Sequence, residues 1–388
     1  MYPSVYYVLK DWFGLDLPIF DIFKVFGLLM ATAFVVAGFF LSRNLRHQEE
    51  KGYLLAIPEK RWVGKMASIP ELLLNAFLGF LIGYKFPLIR EHFDVFRENP
   101  ERILFNSDGV VLSGIAAALF FGGFQYWVKK REATNPPREI EELVSPHHRV
   151  VDLIMIAALF GILGSKLLSS ITDWQAFIAD PLGVLLSFQG LTWYGGFIFA
   201  SLALIVYLKS KKIPLLRFMD AAGPVVLLGY GVGRLGCHFS GDGDWGDPNP
   251  NPEKFSFLPD WLWAYSYPGN VAKAGERIPG CEGPYCFELV PPVYPTAIWE
   301  FIMCALLFGV LMFLFKRINT AGVLFGIYLI FNGVERFAIE SIRVTAEYSV
   351  LGFNLTQAQV IALGLIVLGA VMSIYLAYQG KNKALVQS

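Results

Sequence analysis

The chain has 388 residues, 55% of them hydrophobic and only 16% charged, and its apolar runs are longer than a water-soluble core needs. Its 32 basic and 32 acidic residues cancel, so net charge points to neither a nucleic acid nor a polyanionic partner. That leaves an all-α integral membrane protein, in which the placement of basic residues between apolar stretches carries the topological information.

In chain order, Met1 to Pro18 mixes aromatics with Lys10, Asp11 and Asp16, so it reads as an interfacial segment rather than a cleavable signal. About nine transmembrane helices are expected, at roughly 19–42, 69–87, 109–128, 150–171, 187–208, 213–236, 296–315, 321–342 and 355–378. Arg43, Arg46, Lys51, Lys60, Arg61 and Lys65 follow the first stretch, and Lys129, Lys130, Arg131, Arg138 and Arg149 follow the third. By the positive-inside rule both loops are cytoplasmic. Lys209, Lys211, Lys212, Lys316, Arg317, Lys381 and Lys383 then fall on the same side, which puts the N-terminus outside and the C-terminus in the cytoplasm. The loop holding Lys85, Arg90, Arg97 and Arg102 interleaves them with acids and reads as interfacial. Residues 247–293, rich in Pro, Gly and aromatics, read as a small extracytoplasmic cap holding Cys281 and Cys286, a location that permits a disulfide, though the sequence leaves open whether the two are bonded.

The eighth stretch carries Tyr328, Asn332, Glu335, Arg336, Glu340 and Arg343, most of them on one helical face. A charge at mid-membrane costs at least ~2.5 kcal/mol, so this face pairs internally, lines a wet cavity or meets a charged ligand. An Arg336–Glu340 pair that only fixes packing is the structural alternative. The sixth stretch ends in Gly229-Tyr230-Gly231-Val232-Gly233-Arg234-Leu235-Gly236, followed by Cys237, His238, Ser240, Gly241, Asp242, Asp244, Trp245 and Gly246. No strand precedes it, so a dinucleotide-binding reading is poor, and the acidic turn is as ordinary for a loop as for a divalent cation. No metal or cofactor is expected. Tyr194-Gly195-Gly196, Lys166 and Phe26-Gly27 fall toward the same leaflet as Arg234, Arg336 and Arg343. Cations gathered at that depth need an anion, and a lipid phosphate is the one already there.

At these residues the sequence resembles the bacterial prolipoprotein diacylglyceryl transferases. Gly233-Arg234-Leu235-Gly236 with Ser240-Gly241-Asp242 and Trp245-Gly246 resembles the family's glycine-arginine loop, GRxGNFxNGExWG. Tyr294-Pro295-Thr296 with Trp299-Glu300 is similar to YPSQLYE, and Arg336-Phe337 with Glu340 and Arg343 to RFxxExxR. Leu355 to Gln359 looks like the opening of the family's last span. The likeness covers most of residues 150–378 and extends to Phe26-Gly27. It departs at Cys237 and His238, at Asp242 for Glu, at one extra residue before Trp245, at Tyr194 for the family's histidine, at Phe26 for Tyr, and at Lys166 for Arg.

The resemblance implies a family-like seven-helix core plus an inserted helical hairpin at 66–130. It implies transfer of the diacylglyceryl group of phosphatidylglycerol to the lipobox cysteine of a prolipoprotein signal peptide, in the bacterial cytoplasmic (inner) membrane. Arg234 and Arg336 would hold the phosphate, with Tyr194, Asp242 and His238 as further catalytic candidates. Lys166, Gly195, Gly196, Gly236, Ser240, Gly246, Tyr294, Glu340, Arg343 and Phe26 would shape the substrate site. The proton acceptor stays open between Tyr194 and His238, while Asp242 and Glu340 would hold the arginines. The competing readings are a divergent lipid-binding or lipid-modifying relative without prolipoprotein activity, and an anionic-lipid transporter.

Overall fold

The computed structural model describes all residues except 99, 135, 188, 189, 191, 256, 344–346, 351, 352 and 388. Its longer elements, in chain order, are α1 (Val5–Phe13), α2 (Val25–Glu50), β1 (Ile57–Val63), α3 (Ile69–Glu91), α4 (Val111–Glu132), β2 (Arg138–Val144), α5 (Val150–Thr172), α6 (Trp193–Ser210), α7 (Leu215–Ser240), α8 (Thr296–Phe315), α9 (Val323–Glu340) and α10 (Gln357–Gln387). Among the described residues, eight helices are long and apolar enough to cross a membrane: α2 to α8 and α10. The eighth expected stretch is helical as α9, but its second half carries Glu335, Arg336 and Glu340, which lower its hydropathy. The first expected span, α2, begins at Val25 rather than near residue 19, because Pro18–Ile22 forms a 3₁₀ turn. Asp21 in that turn pairs with Lys24 at 3.3 Å, which keeps polar groups outside the apolar run.

The chain divides into two compact units, Met1–Leu54 with Lys212–Ser388, and Leu55–Lys211. In the first, α7 is central and packs against α2, α8 and α9, while α9 also meets α8 and α10. Half of α7's apolar stretch is buried, more than in any other spanning helix described. Its glycines explain why. A Cβ on Gly231 would lie 2.7 Å from that of Cys304 in α8, and one on Gly236 would lie 3.1 Å from Phe26 of α2. Small residues therefore let the neighbours approach on both sides, the usual means of helix association where lipid offers no hydrophobic driving force. Asp220 of α7 accepts the backbone N–H groups of Gly322 at 2.7 Å and Phe325 at 2.9 Å, capping the start of α9.

Residues 247–293 form an irregular layer held by isolated bridges from Val293 to Pro248 and to Tyr265, and by a Cys281–Cys286 disulfide. The Asn270 side chain donates to the carbonyls of Tyr267, Ala274 and Phe287, so one buried amide organises three stretches of loop. Val271 N–H reaches the Ser240 carbonyl at 3.1 Å and ties this layer to the end of α7.

In the second unit, β1 pairs antiparallel with β2 from Ile57↔Val144 to Val63↔Arg138, and α3 and α4 run between them in sequence. Glu59 Oε1 of β1 lies 2.9 Å from Arg149 Nη2 and accepts from Lys211 Nζ at 2.5 Å, tying the ribbon to the start of α5 and the end of α6. The Lys211 hydrogen bond, then Arg149, holds the Glu59 carboxyl below the usual carboxylate range. The two helix pairs cross through small residues, Gly79 and Gly83 of α3 on Ser113 and Ala117 of α4, and Gly164 of α5 on Gly195 of α6.

Candidate functional site

The first unit gathers its intramembrane charges where the C-terminal end of α7, the N-terminal end of α8 and the C-terminal end of α9 meet. Glu300, one turn into α8, is the centre. Its side chain is 0% exposed, and Oε1 accepts from the Tyr230 hydroxyl at 2.9 Å and from Arg336 Nη1 at 3.1 Å. On its other side Oε2 lies 3.0 Å from Arg234 Nε. Arg336 Nη2 is also 2.8 Å from Glu340 Oε2, one helical turn further along α9. The Arg234 guanidinium lies over the Tyr230 ring, 4.8 Å from its centroid. Two guanidiniums from different helices are thus fixed by one enclosed carboxylate. Such a charge is tolerated because it is paired on both sides.

A second carboxylate closes the cluster from the loop after α7. Asp244 bridges Arg234 and Arg343, one oxygen to each guanidinium. The loop backbone is pinned around it. Thr296 Oγ1 donates to the Asp244 carbonyl at 3.0 Å, Gly246 N–H to Tyr294 O at 2.9 Å, and Asp247 N–H to Ile342 O at 2.9 Å. A Cβ on Gly246 would press on the Ile342 carbonyl and on Thr296, so glycine is needed for this close approach. Glu335 is 2% exposed, and neither carboxylate oxygen has a hydrogen-bond partner among the described residues.

The other expected residues of this unit occupy defined positions. Asp242 is exposed and accepts the Asp244 backbone N–H at 3.3 Å. His238 is buried, shares a hydrogen bond of 3.2 Å with the Tyr267 hydroxyl through Nδ1, and stacks on Tyr265. Burial raises Tyr267 above the ordinary phenol value, so its hydroxyl keeps its proton. Ser240 donates back to the Gly236 carbonyl at 2.7 Å, and Gly241 at φ +64 ends the helix. Phe26 packs on Gly236, and Tyr294 lies in an aromatic cluster with Trp263 and Trp299.

In the second unit, Lys166 is buried and its Nζ donates to the Val184 carbonyl at 3.1 Å and to Ser187 Oγ at 3.0 Å. Tyr194, at the start of α6, is 38% exposed with its ring edge-on to Trp193. Gly195 and Gly196 lie against Gly164 and Ser165 of α5, where a Cβ on either would collide.

Glu300, Asp244 and Tyr230 are the residues of this cluster that sequence reasoning did not put forward as site residues. For Glu300 a signal existed, since an acid inside an otherwise apolar 20-residue helix must be paired or functional. Asp244 had none, because nothing in a Gly- and Asp-rich turn separates it from Asp242. Cys237, Asp242 and Asp244 bring ligand atoms within 4.8 Å of one another, but both oxygens of Asp244 already face guanidiniums, whose charge repels a cation.

Residues 110–375 match the family model described as prolipoprotein diacylglyceryl transferase. Among curated proteins, the chain is similar to the phosphatidylglycerol–prolipoprotein diacylglyceryl transferase of Corynebacterium glutamicum, 29% identical over 238 residues, which are 60% of this chain and 71% of that one. The enzyme of the same name from Dehalococcoides mccartyi is 32% identical over 226 residues, 58% of this chain and 76% of its own. That from Clostridium botulinum is 29% identical over 272 residues, 70% of this chain and 92% of its own.

Proposed function

We propose, from the premise that this chain belongs to the prolipoprotein diacylglyceryl transferase family, that it transfers the diacylglyceryl group of phosphatidylglycerol to the lipobox cysteine thiol of prolipoproteins. A sulfur–carbon bond forms at the glycerol carbon as its bond to the phosphate oxygen breaks. Glycerol phosphate leaves, and the thiol proton passes to a base or to the departing phosphate. The demands are a group that takes the developing charge on phosphate and one that relieves the thiol of its proton.

The observation that carries this reading is the pair Arg234 and Arg336 held on opposite oxygens of Glu300. A guanidinium stays charged when desolvated and presents a planar fork to phosphate oxygens. Fixing two of them beforehand removes the cost of ordering them as charge develops. Arg343, in the turn just after α9, supplies a third cation on the loop side. Glu340 orients Arg336, and Asp244, rather than Asp242, is the acid placed on Arg234.

For the thiol proton, Tyr194 stands where the family has histidine, and its hydroxyl is the acceptor or the group that orients one. Lys166 shapes its surroundings by holding the turn at Val184 and Ser187. The basic loops support a bacterial inner-membrane topology with the N-terminus outside, the C-terminus cytoplasmic and the arginine cluster toward the outer leaflet. Within one membrane domain, residues 66–130 are read as an inserted hairpin and 247–293 as an extracytoplasmic cap.

The test is incubation of the purified protein with phosphatidylglycerol and a lipobox peptide. A diacylglyceryl thioether is expected from the wild type and none from Arg234→Ala or Arg336→Ala. No thioether from intact wild-type protein overturns the transferase reading. Near-normal turnover of either variant removes that arginine from the phosphate site.

A further inference from the structure

Each guanidinium of the arginine cluster is already paired. Among the described residues, Arg234, Arg336 and Arg343 face three carboxylates at ion-pair distance, those of Glu300, Glu340 and Asp244. An anion that takes a place between these guanidiniums must displace one of the acids. The three are not equally replaceable. The Glu300 and Glu340 side chains are 0% and 1% exposed and are enclosed by the helices that carry the arginines. Asp244 is 24% exposed and comes from a loop.

Its geometry is also that of the ligand. One carboxylate presents its two oxygens to two guanidiniums, the arrangement in which two oxygens of a phosphate would be held. The loop lets the side chain leave without unfolding. The Asp244 backbone is anchored through Thr296, and the next anchors are Gly246 and Asp247, so only side-chain rotation is needed. Gly243 beside it, at φ +109, has no atom within 4 Å of where a Cβ would lie, so this side of the loop is not packed against a neighbour.

We propose that Asp244 is a specificity-determining latch: its carboxylate occupies the phosphate position between Arg234 and Arg343 and yields it only to a ligand carrying an anionic group. This rests on the reading that these arginines hold the lipid phosphate. A neutral diacylglycerol leaves the latch closed, whereas phosphatidylglycerol exchanges one anion for another and keeps both guanidiniums paired. Asp244 thereby selects against lipids without a phosphate and keeps two cations satisfied between turnovers.

The experiment compares wild type, Asp244→Asn, Asp244→Ala and Arg234→Ala in nanodiscs, reading KM and kcat for phosphatidylglycerol, diacylglycerol binding and thermal unfolding. Removing the competing carboxylate is expected to lower KM for phosphatidylglycerol by roughly fivefold, the factor corresponding to a partly exposed ion pair of about 1 kcal/mol. The neutral variants should also melt at lower temperature and bind diacylglycerol better than the wild type does. A folded Asp244→Asn protein with unchanged or raised KM overturns the latch. If neither variant folds, Trp245 fluorescence in the wild type, with Trp245→Phe as blank, decides: a change on adding phosphatidylglycerol but not diacylglycerol supports the latch, and no change with phosphatidylglycerol overturns it. Arg234→Ala separates the two readings. Unchanged phosphatidylglycerol binding there refutes the phosphate site itself, while lost binding beside an unaltered Asp244→Asn KM refutes only the latch.

Discussion

Arg234 Nε lies 3.0 Å from Glu300 Oε2, and the opposite oxygen of that carboxylate takes Arg336 Nη1 at 3.1 Å. One acid from α8 therefore sets the separation of two cations from α7 and α9. The Tyr230 hydroxyl, donating to the same Oε1, prevents the carboxylate from turning away. Whatever the arginines bind, Glu300 decides where they are when it arrives.

Glu300→Gln keeps the size of the side chain but replaces a fully buried carboxylate and leaves two half-buried guanidiniums without their shared anion. Breaking one side of a buried ion pair costs roughly 3–5 kcal/mol, so the variant is expected to melt well below wild type and to lose at least about a hundredfold in transfer rate. Thermal unfolding in detergent and thioether formation with a lipobox peptide measure the two effects. A Gln variant with wild-type rate would show that the arginines do not depend on this acid.

Arg336→Lys retains the charge and loses the fork. Lysine has one nitrogen where Arg336 uses Nη1 for Glu300 and Nη2 for Glu340, so it cannot hold both in the same planar geometry. The expected result is a fall in kcat of about ten- to a hundredfold with a smaller change in melting temperature. Equal kcat for the Lys variant would indicate that charge alone suffices there.

Gly195→Leu tests a purely steric prediction. A Cβ at that position already meets the Gly164 carbonyl and Leu168, so a larger side chain must push α5 and α6 apart. Overpacking of this kind costs about 1–3 kcal/mol or more. A lowered melting temperature is expected for Gly195→Leu and, to a smaller extent, for Gly195→Ala, and wild-type stability of Gly195→Ala would show that the helix contact tolerates a Cβ there.

Glu59 gives a pH prediction. Lys211, then Arg149, hold its carboxyl below the ordinary value, so the folded form prefers it ionised. The contribution to stability is therefore present above the unfolded carboxylate range near ~4.3 and is lost as pH falls through the lower folded value. Glu59→Gln should melt lower than wild type at neutral pH, and the two curves should converge in acid. A difference that persists unchanged at low pH would mean that ion pairing is not what Glu59 contributes.

The apolar runs and the family motifs are legible in the linear chain, because hydropathy, basic-loop placement and motif order need no knowledge of which segments meet. They specify the all-α membrane class, nearly all the helices, the family and the two arginines Arg234 and Arg336. They also place the Arg336–Glu340 pair, which is local to one helix at i, i+4 and so readable from spacing. The rest depends on contacts between segments far apart in sequence. That Glu300 spans Arg234 and Arg336, residues 66 and 36 positions away (300 − 234 and 336 − 300), follows only once three helices are packed. The choice between Asp242 and Asp244 as the acid on Arg234 is likewise decided by the loop's anchors on Thr296, Tyr294 and Ile342. Sequence determines which side chains are costly to bury, whereas only the tertiary structure decides which of them neutralise one another, because pairing depends on distances of a few ångströms that no periodicity encodes.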